Sequence, residues 1–178
     1  DPTDNNDPTP VILPRLVIAS TKDVVSCPLP MGDGTYSITY ATKVLNIGDL
    51  DLYDIQLIDS LTSQFGIFTP NTPTTAGHYT ISVAPQVSQI NNTSTLTVSD
   101  NYSGSGNNDG LLKLVTGNKL IPGDSATITF TIRFIPSIGK THFSNQIVAK
   151  GDKYENGVVN GISTDISNSG TVADPDND

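Results

Sequence analysis

Apolar and polar residues alternate along the middle of the chain with a period of two. In residues 125–134 every second residue is apolar, and within residues 35–46 Tyr36, Ile38 and Tyr40 alternate with Thr and Ser. Successive side chains of a strand point to opposite faces of a sheet, so this period predicts strands that bury one face. No segment keeps a helical period for several turns. Further strands are predicted at residues 15–23, 52–61, 78–83, 93–99, 111–115, 143–150 and 158–166.

Segments rich in Gly, Pro, Asn and Asp separate these predicted strands. Loops are expected at residues 27–34, 62–76 and 100–110, and Asn156-Gly157 is typical of a tight hairpin turn. About nine strands at this spacing, without helices between them, predict an all-β, antiparallel immunoglobulin-like β-sandwich. We expect a single domain at residues 11–168 with acidic linkers at residues 1–10, which are also rich in Pro, and 169–178.

The composition excludes several classes of partner. The net charge is −9 at pH 7, which repels nucleic acid and anionic membrane, and no apolar run is long enough to span a bilayer. Cys27 is the only cysteine, so an internal disulfide is excluded and a small buried or half-buried side chain is expected there. There is no initiating Met or signal peptide, which predicts an excised piece of a longer chain.

The acidic residues point to a hard cation. Of the 18 acidic residues only Glu155 is not Asp, and Asp residues recur every two or three positions at both ends of the chain. Closely spaced carboxylates are the ligands that Ca²⁺ prefers, so we predict calcium at the ends, with a solvated acidic linker as the alternative. Loop 100–110 is a weaker candidate, with Asx-stabilised turns as its alternative. The predicted metal ligands are Asp1, Asp4, Asp7, Asp174, Asp176 and Asp178, and more weakly Asp100 and Asp109.

Three polar residues are predicted to point into the core. Strand alternation places Lys22, Asp59 and Asn145 on the apolar faces of an early, a middle and a late strand. The predicted strand at residues 52–61 also puts Tyr53 on the face of Asp59. Burying a cation, a carboxylate and an amide costs several kcal/mol unless they contact one another. An ion pair with a hydrogen-bonded Asn is the simplest arrangement of the three.

Three stretches resemble a known repeat. Residues 16–22 (LVIASTK), 35–61 (TYSITYATKVLNIGDLDLYDIQLIDSL) and 120–150 (from LIPGDSATITFTIRF to FSNQIVAK) are similar to the DUF11-type repeat of bacterial surface proteins, and the acidic ends resemble its linkers. The resemblance implies an Ig-like module of a long secreted or surface-anchored bacterial protein, with neighbouring repeats as its partners. Lys–Asp–Asn triads of other Ig-like surface domains form an intramolecular isopeptide bond, which implies the same bond for Lys22, Asp59 and Asn145.

These observations favour a structural role over catalysis. The only histidines, His78 and His142, lie in no metal-binding or nucleophile motif, so we expect no enzyme. We expect an extender or stalk module of a tandem-repeat bacterial adhesin, extracellular, monomeric in isolation, and stiffened at its joints by calcium. The alternative is a β-sandwich that binds carbohydrate or protein through loops 62–76 and 100–110, where Phe65, Phe68 and Tyr102 supply the aromatic side chains.

Overall fold

A computed structural model of the protein describes residues 11–90, 94–114, 117–155, 157–167 and 169. Two sheets pack face to face, which confirms the predicted all-β, immunoglobulin-like sandwich. The elements in chain order are β1 (Ile18–Val24), β2 (Leu29–Pro30), β3 (Tyr36–Asn46), β4 (Leu52–Ile58), α1 (Thr62–Phe65), β5 (Ile67–Phe68), β6 (His78–Ile90), β7 (Lys119–Leu120), β8 (Ser125–Ile135), β9 (Val148–Glu155) and β10 (Val158–Ile166).

The larger sheet has the order β1-β3-β8-β6-β5, with β2 also paired to β3, and the smaller sheet has the order β10-β9-β4-β7. All pairs are antiparallel except β5 with β6. The inward residues of β8, such as Ile128, Phe130 and Ile132, are almost fully buried, as their alternation predicts. The core therefore lies between the two sheets, with β3 and β8 at the centre of one of them.

Several predicted boundaries are wrong. β9 begins at Val148, so residues 143–147 precede the strand rather than belong to it. Residues 94–99 and 111–114 form only isolated bridges, and the loop predicted at residues 62–76 contains the short helix α1. Cys27 is exposed, because it lies in the turn between β1 and β2 and not in the core.

The predicted inward face of Tyr53 is wrong because β4 contains a bulge. Asp54 has a φ of 47°, and the register between β4 and β9 shifts between Tyr53 and Gln56. An extra residue in one strand turns the side chains before it relative to those after it. Leu52 is therefore buried in place of Tyr53, while Ile55 keeps its predicted inward orientation.

The first and last strands close one side of the sandwich and run in the same direction. The amide of Ile18 donates to Ser163 Oγ at 3.0 Å, and the amide of Ser20 donates to Asp165 Oδ2 at 2.7 Å. Side chains of β10 thus accept from the outer edge of β1, which would otherwise be unpaired. The residue numbers of the two strands increase in the same direction, so β1 begins at one end of the sandwich and β10 finishes at the other.

Candidate functional site

The structure brings Lys22, Asp59 and Asn145 together inside the sandwich. Lys22 lies near the end of β1, Asp59 immediately follows β4, and Asn145 precedes β9. The Lys22 ammonium contacts Oδ2 of Asp59, and Nδ2 of Asn145 donates to Oδ1 of the same carboxylate at 2.9 Å. Asp59 therefore contacts both partners at once, one through each oxygen.

The charged pair is removed from solvent. The side chains of Lys22 and Asp59 are 1% and 0% exposed, and Lys22 Nζ lies 4.5 Å from the ring centroid of Tyr40 and 5.2 Å from that of Phe130. Burial lowers the pKa of the Lys22 ammonium, although the Asp59 carboxylate opposes this change. An amine held in apolar surroundings is more readily neutral, and a neutral amine is a nucleophile.

Loop 100–110 covers Asp59 from one side. The amide of Asp59 donates to the carbonyl of Asp109 at 2.8 Å, and the Tyr102 hydroxyl donates to the carbonyl of Asp59 at 3.2 Å. Burial raises the pKa of the Tyr102 phenol well above its ordinary value, and Asp59 adds to the increase. Gly104 has a φ of +66°, and a Cβ there would meet Leu61 Cγ at 2.5 Å, so the loop approaches the segment after β4 closely only because this residue is Gly.

Side-chain contacts hold Asn145 in place, since its segment has no regular structure. The ring of Phe143 stacks on Phe65 with centroids 5.1 Å apart. Gln64 Oε1 accepts from the amide of Ser144 and from Lys140 Nζ, each at 3.3 Å. The alternation of apolar and polar residues does not predict these contacts. The only local signal is Gln64, which precedes the buried Phe65. Asn145 is half-buried and opens onto a surface groove of about 300 Å³.

The predicted calcium ligands at the two ends lie outside the described residues. Within the described part of the chain no group of three or more His, Cys, Asp or Glu side chains is arranged to hold a metal. In loop 100–110, Asp100 forms an ion pair with Lys113 at 2.5 Å, and the backbone carbonyl of Asp109 accepts from Asp59. Metal binding by Asp100 and Asp109 stays a prediction, as does calcium at the ends.

The loops of the ligand-binding alternative turn their aromatic side chains inward. Phe65 and Tyr102 are buried in the core, and Phe68 is half-buried against Tyr79. A groove of about 620 Å³ lies beside loop 100–110, with Ile58 of β4 in its wall. It contains no aromatic surface on which a sugar ring would stack. Among the described residues no helix is long and apolar enough to cross a membrane.

Comparisons with known proteins leave the family open. No protein-family model matches the chain, and no curated protein matches it. Among solved structures the chain is similar to a CBM3a-L domain with flanking linkers from scaffoldin cipA of the cellulosome of Clostridium thermocellum. The two are 17% identical, the match covers 81% of this chain and 87% of that one, and the TM-score is 0.30. A likeness at this level carries no argument about function.

Proposed function

We propose that the protein is an extracellular structural module, a spacer in a tandem-repeat surface protein, that locks itself with an isopeptide bond between Lys22 and Asn145. The observation that carries this proposal is the buried contact of both residues with the two oxygens of Asp59. A spacer needs resistance to unfolding more than it needs a ligand site. The opposite placement of the two ends, and the resemblance to DUF11-type repeats, support an extended head-to-tail arrangement.

The reaction needs only these three side chains. Lys22 first passes a proton to Asp59, which leaves a neutral amine beside a carboxylic acid. Nζ then attacks Cγ of Asn145, and a new Nζ–Cγ bond forms as the amide carbonyl becomes tetrahedral. Asp59 donates its proton to Nδ2, the atom that it already contacts, and takes up the second proton from Nζ.

The Cγ–Nδ2 bond then breaks, and one ammonia leaves through the groove beside Asn145. The product is a secondary amide between Lys22 and Asn145, with no change of oxidation state and no cofactor. Burial favours the reaction because it excludes the water that would keep Lys22 charged. The fold also holds Lys22 and Asn145 in position, so they need not meet by diffusion. In well-oriented reactions this lowers the activation free energy by about 7–11 kcal/mol.

Peptide mapping tests the bond. After proteolysis of the denatured protein, we expect a branched peptide that contains Lys22 and Asn145 and lacks one ammonia. Asp59→Ala removes the proton carrier and is expected to yield two separate linear peptides. Asp109→Ala is the matched control, because only the backbone carbonyl of Asp109 contacts Asp59. Linear peptides from the wild-type protein would contradict the proposal.

The spacer role has its own test. Two copies joined through their natural ends should give an elongated particle by small-angle X-ray scattering, because the chain enters and leaves at opposite ends of each sandwich. If calcium stiffens the joint, EDTA should broaden the distribution of distances between the two copies without changing the dimensions of one copy. A compact, side-by-side pair in both conditions would contradict the spacer role and leave the covalent bond untouched.

A further inference from the structure

The proposed bond does not join the first and last strands. Asn145 precedes β9, and the chain continues through β9 and β10 after it. A Lys22–Asn145 bond would therefore enclose β2 to β8 in a covalent ring. The hairpin of β9 and β10 would lie outside that ring, although it forms one half of the smaller sheet.

A pull on the two ends of the module would load this hairpin selectively. Force enters at Ile18 and travels along β1, which is already extended, to Lys22. It then crosses the bond to Asn145 and leaves through Ser167, which pairs with Ile147 at the same end of the sandwich. The residues inside the ring lie off this covalent path, although β4 among them holds β9 by its ladder of hydrogen bonds. The hairpin connects Asn145 to Ser167 and so must carry all of the load.

The load would reach the hairpin first at that end. β9 and β10 are antiparallel, and Val148 and Ile166 form the first pair of the ladder. Both side chains are half-exposed, at 40% and 44%, so their separation exposes little buried surface.

Contacts with β1 set the resistance of β10. Ser163 accepts from the amide of Ile18, and Asp165 accepts from the amide and from the hydroxyl of Ser20. These strands are parallel, and the load moves β10 along β1 rather than away from it. The bonds are therefore strained together, which delays opening until a threshold force is reached.

We propose that the β9–β10 hairpin is a force-released extension of the module, which lengthens under tension while the covalent ring stays folded. This inference rests on the proposed function, because it requires the Lys22–Asn145 bond. Opening residues 146–166 releases about 7 nm of chain, at 3.3–3.6 Å per residue. Loss of the ring would release the module from Ile18 onward, roughly 50 nm by the same rule.

Single-molecule force spectroscopy on the full chain between reference domains tests the proposal, with intact mass measured on the same preparation. For the cross-linked wild type we expect a step of about 7 nm, and for Asn145→Ala a step of roughly 50 nm. The control locks the hairpin: Val148→Cys with Ile166→Cys, in a Cys27→Ser background. Directly opposed strand residues lie within disulfide distance, and oxidation should abolish the short step, while reduction should restore it.

The outcomes separate the two claims. A preparation whose mass shows the bond, but which gives no short step before the reference domains unfold, overturns the hairpin inference and leaves the bond in place. A short step that persists in the oxidised double variant also overturns it, because the extension would then come from another segment. A wild type that lacks the mass loss and extends by roughly 50 nm overturns the proposed function, and the hairpin inference with it.

Discussion

Replacing Asn145 by Ala should cost far more stability than its one hydrogen bond accounts for. Without a covalent bond, the variant would lose the hydrogen bond from Nδ2 to the Asp59 carboxylate, worth about 1.5–3 kcal/mol. The Lys22–Asp59 ion pair stays intact in this variant, so no charge is left buried without its partner. A loss near that value is therefore the expectation for a purely noncovalent triad.

A covalent bond between Lys22 and Asn145 adds a much larger contribution. It closes a ring of about 120 residues, and the loop-closure relation used for disulfides gives about 5 kcal/mol from the restricted unfolded chain. Nδ2 has already left as ammonia in the cross-linked protein, so the expected loss in Asn145→Ala is that of the ring closure, about 5 kcal/mol. For a domain of this size each kcal/mol lowers Tm by about 2–4 °C, so Tm should fall by about 10–20 °C.

Urea denaturation followed by far-UV circular dichroism measures the difference, since the chain has no Trp for fluorescence. The wild type should also show a smaller m-value, because a cross-linked chain exposes less surface when it unfolds. Asn107→Ala is the matched control: the side chain of Asn107 is exposed in loop 100–110, and its loss should change stability by less than about 0.5 kcal/mol. A loss of only about 1.5–3 kcal/mol in Asn145→Ala, with equal m-values, would contradict a covalent bond.

Three further predictions concern loop 100–110, the stability at acid pH and the two ends of the chain. Tyr102→Phe removes the hydroxyl that donates to the backbone carbonyl of Asp59, and it should slow formation of the isopeptide bond in freshly synthesised protein. The rate is measured as the loss of mass against time after folding. An unchanged rate would show that the hydroxyl of Tyr102 plays no part in the reaction. The Thr35 hydroxyl and amide, followed by Arg133, lower the pKa of Asp33 to about 2. Its stabilising effect is thus present above the unfolded pKa and lost as the pH falls toward 2, so the urea midpoints of wild type and Asp33→Asn should converge between about pH 4 and pH 2; midpoints that stay apart would contradict this. Calcium should raise Tm of a two-copy protein and EDTA should reverse the increase, while a single copy trimmed to residues 11–167 should not respond; equal responses would place the calcium elsewhere.

The sheets could be predicted from the sequence because their signal is local. The alternation in β3 and β8 reports which residues face the core, whatever the strands pair with. The same rule placed Tyr53 on the wrong face, because a single extra residue at Asp54 reverses the phase of β4 before the bulge. A bulge depends on the register with β9, which the sequence of β4 alone does not contain.

The three residues of the candidate site could be predicted from the sequence, but the contacts that hold them in place could not. Lys22 and Asp59 fall on apolar faces, so their burial followed from alternation. The inward orientation of Asn145 was predicted from a strand at residues 143–150, but β9 begins only at Val148. The position of Asn145 depends instead on the stacking of Phe143 on Phe65 and on the hydrogen bond from Ser144 to Gln64. Those contacts join segments far apart in the chain, which no local pattern encodes. Loop 100–110, expected to face a ligand, instead covers Asp59.

The intact mass of the denatured wild-type protein distinguishes a covalent triad from a noncovalent one. Denaturation removes every noncovalent contact within the triad, so only a completed reaction can change the mass. We expect a protein lighter than its sequence by one ammonia, with the full sequence mass restored in Lys22→Ala after allowance for the substitution. A wild-type mass equal to that of the sequence would contradict a covalent triad.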